Sequence, residues 1–437
     1  MASTFQYLLL LLLFIIAPSS SAKSSFRPKA LVIPVTRDDS ALLYVTQIHQ
    51  RTPLVPVKLV LDVGGQFVWV DCKQNYTSST YRPARCNSTQ CHLAGADICS
   101  ECFTSPRPGC HNTCILSPEN PLNGVATTGD VGQDVVSVRS TNGFNQGRKV
   151  AVSSFIFSCA PTSLLSNNLA DGVSGVAALG RTKVAFPSQF ASAFNFPRKF
   201  AICLASRKSK GVVFFGDRPY VFRPNVNAAE SLTYTPLIHN RPTSGFDFEK
   251  RQASSEYFIG VESIKVDQKV VQIRKKLLSI NKKGLGGTKI STLHPYTVLE
   301  KSIYKAVTKA FLKEMAARNI TRVTDVVSRF DYCFSTKNIG STRLGAAVPT
   351  IEFVLQNNVT WPVFGANSME PTWTDDNVLC LAVENGGDSP KASIVIGGHQ
   401  MENHLLQFDL DSSRLGFSPL LFGKRTTCAN FNFKSAA

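Results

Sequence analysis

Acidic residues are scarce in this sequence of 437 residues. Asp and Glu number 30 against 47 Lys and Arg, which gives a formal net charge of +17 and a pI near 9.4. A strongly basic chain favours polyanionic or acidic partners, and we expect an acidic wall polysaccharide or an acidic protein. The basic residues are scattered rather than gathered in a dense tract, which argues against nucleic-acid binding.

Beyond its first residues, the sequence lacks an apolar run of membrane-spanning length. The run from Leu8 to Ile16 is too short to span a bilayer and is followed by small residues that end at Ala22. This pattern predicts a cleaved secretory signal over residues 1–22. We therefore expect an exported protein of the extracellular space, with no membrane anchor.

A second CxxC or a histidine pair at zinc-finger spacing is also missing. Cys99 and Cys102 form the one CxxC, so we expect no metal site and no cofactor. In an exported chain, an even number of cysteines indicates disulfides, although spacing leaves their connectivity open. The twelve cysteines are Cys72, Cys86, Cys91, Cys99, Cys102, Cys110, Cys114, Cys159, Cys203, Cys333, Cys380 and Cys428.

The sequence contains four Asn-X-Ser/Thr sequons. In an exported protein each marks a surface position that can carry a glycan, so a glycoprotein is expected. The sequons start at Asn75, Asn87, Asn319 and Asn358.

Short apolar runs alternate with Gly, Ser, Asn and Pro clusters, which predicts a mostly β protein. The clearest runs are VSSFIFSC, GVVFFGD, EYFIGVESIKV, VPTIEFVL, ASIVIGG and LLQFDL. No repeat of 20 to 50 residues occurs, and the length favours two domains. We predict an N-terminal β lobe with a Cys-rich insertion over residues 23–238, a polar linker over 239–255 and a C-terminal β lobe over 256–437.

Few helices are expected. Apolar residues recur every four positions in VLEKSIYKAVTKAFLKEMAARN, which predicts a long amphipathic helix. A shorter helix is predicted for PSQFASAFN, because Pro187 stands at a favourable first-turn position.

The stretch LVLDVGGQFVWVDC contains a candidate catalytic acid. An apolar run places Asp62 in a Gly-containing turn, and a second apolar run follows. Acid proteolysis needs two carboxylates that share a proton and hold a water molecule, one acting as base and the other as acid. No Asp-Ser/Thr-Gly triplet occurs in the second half of the chain.

Several segments together resemble the plant pepsin-like aspartic proteases, a two-lobed β fold. They are LVLDVGGQFVWVDC, GVSGVAALGRTKVAFPSQ, FDYCF and SIVIGGHQMENHLLQFDLDSSRLGFSP. The resemblance implies that Cys333 pairs with Cys380. Aligning GLGGTKISTLHPYTVLE with the second catalytic loop of that family places Leu285 where its second aspartate stands.

Two further departures from the protease pattern accompany the missing carboxylate. Val63 and Gly65 replace hydroxyl-bearing residues of the first loop, and no tyrosine occurs between Tyr81 and Tyr220, the region of the protease flap. We therefore interpret Asp62 as the remnant of a catalytic pair and the protein as a non-enzyme.

Within the protease-like group, the sequence resembles plant inhibitors of glycanases, including xyloglucan-specific endoglucanase inhibitors and the extracellular dermal glycoprotein type. FRPKALVIPVTRD, YVTQIHQRTPLV, GGTKISTLHPYTVLE and RTTCANFNF carry this resemblance. It implies a monomeric defence protein whose partner is a family 12 xyloglucan endoglucanase of a pathogen. Matching positions make Arg343 and Arg425 the expected inhibitory contacts.

Two alternatives stay open at this point. Asp62 could serve an atypical acid aspartic endopeptidase, or the chain could be a noncatalytic binding protein for a peptide or polysaccharide. Pepstatin-sensitive cleavage at low pH distinguishes the first, and ligand binding without any effect on glucanases distinguishes the second.

Overall fold

The structure is a computed structural model that describes residues 26–73, 76–100, 111–165, 169–206, 209–241, 253–324, 328–372, 375 and 377–434. The expected signal over residues 1–22 and most of the expected linker lie outside these ranges. Within the described part of the chain, no helix is long and apolar enough to cross a membrane. Below, the N-terminal half means residues 26–241 and the C-terminal half means residues 253–434.

Strands dominate both halves, as the alternating apolar runs predict. In the N-terminal half they are β1 (Ala30–Asp38), β2 (Leu43–Gln50), β3 (Val55–Asp62), β4 (Trp69–Asp71), β5 (Arg82–Pro83), β6 (Cys99–Ser100), β7 (Thr113–Leu116), β8 (Gly129–Thr141), β9 (Gln146–Ala160), β10 (Gly175–Ala178), β11 (Lys199–Cys203), β12 (Lys210–Gly216), β13 (Val221–Phe222), β14 (Val226–Asn227) and β15 (Thr233–Ile238). In the C-terminal half they are β16 (Tyr257–Ile259), β17 (Val261–Val266), β18 (Lys269–Val270), β19 (Thr288–Ile290), β20 (Thr297–Leu299), β21 (Arg322–Val323), β22 (Cys333–Ser335), β23 (Ser341–Thr342), β24 (Gly345–Ala346), β25 (Ile351–Leu355), β26 (Thr360–Val363), β27 (Met369–Pro371), β28 (Val378–Leu381), β29 (Val383–Asn385), β30 (Ile394–Ile396), β31 (Leu405–Asp409) and β32 (Arg414–Phe417).

A continuous sheet joins the two halves. Strand β11 pairs antiparallel with β31, with Phe200 opposite Phe408. The two rings are stacked with centroids 4.6 Å apart, and neither side chain is exposed. Cys203, in β11, is bonded to Cys428 near the C-terminal end of the chain. The hydrophobic core therefore continues from one half into the other.

The described helices are α1 (Thr89–Ala94), α2 (Phe186–Phe194), α3 (Lys301–Ala317), α4 (Gly365–Ser368) and α5 (Gly398–Met401). Both helices predicted from the sequence are present, and Pro187 lies in the first turn of α2. In α3 the predicted apolar stripe is buried. The Glu300 side chain accepts hydrogen bonds from two first-turn N–H groups of α3, which fixes where that helix begins.

Five disulfides are present among the described residues, namely Cys72–Cys159, Cys86–Cys99, Cys91–Cys114, Cys203–Cys428 and Cys333–Cys380. The pairing implied for Cys333 and Cys380 is thus confirmed. Cys102 and Cys110 lie outside the described residues. In the part of the chain described, no cluster of His, Cys, Asp or Glu could hold a metal ion.

Three of the sequon asparagines, Asn87, Asn319 and Asn358, lie exposed at the surface. Each has a positive φ, between 56° and 61°, a conformation that asparagine tolerates well. The fourth, Asn75, lies outside the described residues. Glycosylation remains a prediction that the exposure of these side chains supports.

Candidate functional site

Asp62 lies at the end of β3, where the sequence predicts a strand that ends in a turn. Strand β10 runs parallel to β3, and Asp62 lies opposite Ala178. The Asp62 carbonyl accepts hydrogen bonds from the N–H groups of Leu179, at 2.8 Å, and Gly65, at 3.3 Å. The backbone is therefore held on both sides, and the carboxylate is presented at the junction of the two halves.

The surroundings of Asp62 favour its neutral form. Burial raises the pKa of the carboxyl to about 6; the N–H groups of Gly64 and Gly65 and the charge of Lys289 oppose this rise, while the negative charge of Glu256 adds to it. The Gly64 N–H donates to Asp62 Oδ1 at 2.9 Å. Lys289 Nζ lies 2.5 Å from Glu256 Oε1, so the nearest cation is shared with a second carboxylate.

The loop that faces Asp62 from the C-terminal half is built around Thr292. This buried hydroxyl donates to the Leu61 carbonyl at 2.6 Å and accepts from the Val63 N–H at 3.0 Å. It thus bonds to the residues on either side of Asp62. Because Val63 has no hydroxyl, it cannot return an equivalent side-chain bond.

The hydrogen bonds of the two loops show that Ser291, not Leu285, is the residue equivalent to Asp62. Gly180 N–H bonds to the carbonyl three residues after Asp62, and Gly398 N–H bonds to the carbonyl of His294, three residues after Ser291. Ser291 also directly precedes the bridging Thr292. Ser291 therefore has, in the C-terminal half, the position that Asp62 has in the N-terminal half.

The prediction that Leu285 occupies this position is wrong. Leu285 is 38% exposed, and its N–H and carbonyl both bond to Asn281 in a turn that precedes β19. Aligning Gly287-Thr288 with the Gly-Thr of a protease shifted the alignment of the second loop by six residues, from Ser291 to Leu285. The Ser-Thr pair that directly follows the apolar end of β19 is the signal that could have given the correct register.

Ser291 does not supply the missing acid. Its hydroxyl lies 3.0 Å from His294 Nδ1 and accepts the Leu293 N–H at 3.2 Å. Burial and the positive charge of Lys289 lower the pKa of His294 to about 4, against the opposing effect of the negative charge of Glu256. A histidine with so low a pKa is a weak general base.

The hairpin that takes the place of the protease flap runs from β7 to β8. It pairs Ile115 with Asp130 and Leu116 with Gly129, and its turn is anchored by a 3.0 Å bond from the Asn120 amide to the Leu164 carbonyl. The sequence between these strands contains no tyrosine. The hairpin is therefore formed, but it has no tyrosine between its strands.

Arg343 lies at the tip of a separate hairpin in the C-terminal half and is exposed. The tip joins β23 and β24, and Thr342 Oγ1 donates to the Gly345 carbonyl at 2.8 Å. The Leu344 carbonyl accepts the Ala366 N–H at 2.9 Å, which ties the tip to α4.

Arg425 is exposed at the end of a 3₁₀ turn, Leu421–Lys424, and has a φ of 58°. The turn is anchored by the fully buried side chain of Leu421, and the disulfide of Cys428 follows three residues later. A Cβ placed on Gly423 would lie 3.8 Å from Leu344 Cδ2. The loops that carry Arg343 and Arg425 are therefore neighbours on one face.

Two family models match the chain. The model of the xylanase inhibitor N-terminal region matches residues 44–217, and that of the C-terminal region matches residues 256–419. A probable aspartic proteinase GIP2 of Nicotiana benthamiana is 56% identical over 435 residues and covers 98% of both chains. A gamma conglutin 1 of Prunus dulcis is 42% identical over 433 residues, which are 97% of this chain and 95% of that one.

The solved structures show the fold. A crystal structure of edgp is 59% identical, with a TM-score of 0.90, over 94% of this chain and all of that one. An aspartic proteinase from Irpex lacteus is 16% identical, with a TM-score of 0.57, over 91% of this chain and 99% of that one. The fold is accordingly pepsin-like, as expected from the sequence.

Proposed function

Because the chain belongs to the xylanase-inhibitor family, we propose that it is a secreted inhibitor of a pathogen's family 12 xyloglucan-specific endo-β-1,4-glucanase. The observation that carries this proposal is the pair of exposed arginines, Arg343 and Arg425, on neighbouring anchored loops. A role in plant cell-wall defence follows from blocking such an enzyme.

The chemistry of the target fits an arginine contact. A retaining glucanase has two carboxylates about 5 to 5.5 Å apart in an open cleft. A guanidinium carries five donors in a planar fork and can bond one or both carboxylates, with strong charge-assisted hydrogen bonds. An arginine inserted between them would occupy the position of the scissile bond.

The anchoring of the two loops favours tight binding. The Arg343 tip is bonded to α4, and the Arg425 turn is fixed by Leu421 and the Cys203–Cys428 disulfide. A loop that is already ordered loses less conformational entropy when it binds. The proposal therefore assigns the inhibitory contact to this face and not to the surroundings of Asp62.

Substitution of the arginine tests the assignment. Arg425→Ala should weaken inhibition by roughly 2 to 5 kcal/mol, because it leaves a desolvated carboxylate of the enzyme without its partner. The measurement is the inhibition constant, obtained from reducing-sugar release by a family 12 glucanase. Lys424→Ala, one residue away and also exposed, is the matched control and should have a smaller effect.

Two results would contradict the proposal at different levels. An unchanged inhibition constant for Arg425→Ala would remove that residue from the contact. Undiminished hydrolysis by several family 12 enzymes in excess protein would remove the function itself.

We further propose that the protein is not an enzyme, because a serine at the second aspartate position cannot share a proton with Asp62. The retained Asp62 and the name of the 56% identical relative favour one competing activity, an acid aspartic endopeptidase. Pepstatin-sensitive cleavage of a protein substrate at low pH, abolished by Asp62→Asn, would establish that activity and contradict our proposal.

Export of the protein is part of the same proposal. Five disulfides among the described residues are typical of an oxidising compartment, and three sequon asparagines are exposed. A monomer suits a one-to-one contact with an enzyme cleft. Light scattering of the purified glycoprotein, alone and with a glucanase, would check the monomeric state and the one-to-one stoichiometry of the complex.

A further inference from the structure

A cluster of basic residues lies on the N-terminal half, whereas Arg343 and Arg425 belong to the C-terminal half. A cavity of about 320 Å³ is lined by five basic residues and by no acidic one. The basic residues are His49, Lys58, Arg139, Lys149 and Lys210. We refer to this cavity and its basic residues as the basic groove.

The strand register places these side chains on one face of the sheet. Arg139 lies opposite both Val32 in β1 and Lys149 in β9. His49 lies opposite Ser137, which is two residues before Arg139 and so on the same face.

The same face extends to the other two lysines. Lys58 lies opposite Gln47, two residues before His49, and Lys210 lies opposite Thr36. Thr36 in turn lies opposite Val45, two residues before Gln47. The groove therefore results from the order of the strands and does not depend on a loop conformation.

The charges of the groove repel one another. Arg139 and Lys149 form a directly opposite cross-strand pair, and like charges in such pairs are destabilising. The pKa of His49 is lowered by burial first, and then by the charges of Lys149 and Arg139. Lys58 is closer to balance, since its Nζ lies 3.8 Å from Asp38 Oδ2. A bound anion would relieve the repulsion around Arg139.

A second basic cavity continues the groove. It has a volume of about 610 Å³, shares Gln146 with the first and again contains no acidic lining residue. Its basic residues are Arg27, Lys29, Arg148 and Arg218. The two cavities meet at Gln146, and we call them together the basic track. Its nine basic residues suit a ligand with several negative charges better than a single ion.

We propose that this track binds an acidic polysaccharide through the carboxylates of its uronic acid units. Polar groups for sugar hydroxyls are present, because Gln47 and Ser137 line the first cavity between the basic residues. Nucleic acid fits less well, because single-strand recognition uses aromatic stacking platforms. Phe26 is the one Phe, Tyr or Trp among the lining residues, and the Arg148 guanidinium carbon lies 3.4 Å from its ring centroid.

The test uses the full-length glycoprotein and de-esterified polygalacturonate as probe. Arg139→Gln with Lys149→Gln removes the repelling pair, so the fold should not be weakened. Binding at about 0.1 M salt should fall at least tenfold, and the slope of log affinity against log salt should decrease by about two. Lys309→Gln with Lys313→Gln, two exposed positions of α3, is the matched control and should bind like the parent protein.

Three results would overturn the proposal. They are equal loss of binding in both double variants, equal binding to fully methyl-esterified pectin, and binding to single-stranded DNA as tight as to polygalacturonate. Glucanase inhibition should be the same in the Arg139 and Lys149 double variant as in the parent. Arg425→Ala should leave polysaccharide binding unchanged, so this proposal and the inhibitor proposal can fail separately.

Discussion

Two of the charged contacts between the halves of the molecule differ in how their charges are balanced. In the first, which we call the buried junction, Arg37 of β1 meets Glu402 and Glu370 of the C-terminal half. In the second, the cleft junction, Asp62 of β3 meets the loop of Thr292 and the ion pair of Lys289 with Glu256. In the first the charges are buried and paired, and the second surrounds a buried carboxyl whose pKa is raised.

Every charge of the buried junction has a partner at short range. Arg37 Nη1 lies 3.1 Å from Glu402 Oε1, and Tyr44 donates to the same oxygen at 2.7 Å. Tyr296 accepts from Arg37 and donates to Glu370, at 3.3 Å in both cases. Ionised side chains are retained in an interior only when they are paired and hydrogen-bonded in this way.

The cleft junction shows the opposite balance. Asp62 accepts the Gly64 N–H, and the serine that faces it brings neither a charge nor a shared proton. Burial, together with the negative charge of Glu256, raises the pKa of this carboxyl to about 6. The hydrogen bonds of Thr292 to Leu61 and Val63 join the halves here without a charged group.

The largest expected effect comes from breaking the buried junction. Arg37→Met should lower the free energy of unfolding by about 3 to 5 kcal/mol, because Glu402 and Glu370 would remain buried without their cation. Chemical denaturation at neutral pH measures this change. The matched control is Arg198→Met, because Arg198 Nε also lies 3.1 Å from a carboxylate oxygen, that of Asp411, but both side chains are about half exposed.

Loss of the Arg198 pair should cost less than about 1 kcal/mol. Equal losses in the two variants would contradict the distinction between buried and exposed pairs. Acid should weaken the buried junction as well. Burial raises the pKa of Glu402, but His399 and Arg37 more than offset this and hold it below its usual value, so the stability from Glu402 is lost as the pH falls through that lowered pKa.

The next largest loss of stability is expected for the uncharged contact of the cleft junction, the Thr292 hydroxyl. Thr292→Val should lower the free energy of unfolding by about 2 kcal/mol, because the buried Val63 N–H and Leu61 carbonyl would lose a partner. Thr292→Ser retains the hydroxyl and is the matched control. A valine variant as stable as the serine variant, by denaturant titration, would show that the bridging hydroxyl does not hold the halves together.

Much of the fold could be predicted from the sequence because it depends on local pattern. The four-residue apolar repeat of α3 and the alternating strands each follow from periodicity within one segment. The buried junction could not be predicted in this way, because Arg37 and Glu402 are 365 positions apart and meet only when both halves are packed. No local signal distinguishes such an arginine from an exposed one.

The candidate site was predicted in part. Asp62 is at the end of a strand as expected, and Arg343 and Arg425 are both exposed. The second loop was assigned to the wrong residue, because a glycine pair in a turn imitates a catalytic Gly-Thr, whereas the deciding evidence is the hydrogen bonding of Thr292 across the halves. The basic groove was missed as a site, because its residues come from five strands and only the register brings them together.

The smallest change in the free energy of unfolding is expected when the Asp62 side chain itself is substituted. Asp62→Asn keeps an oxygen that can accept the Gly64 N–H but removes the ionisable proton. Since the folded pKa is about 6, above the usual 3.8, the contribution of Asp62 to stability is complete below about pH 4 and is lost as the pH rises through 6.

The asparagine variant should therefore match the parent protein at pH 4 and be more stable by about 1 to 2 kcal/mol at pH 7. Denaturant titrations at the two pH values measure this difference, with Asp171→Asn, an exposed aspartate, as control. A variant less stable than the parent at pH 7 would mean that the charged carboxylate still attaches the halves. In that case paired charges would stabilise both junctions, and the Asp62 carboxylate would have a stabilising partner.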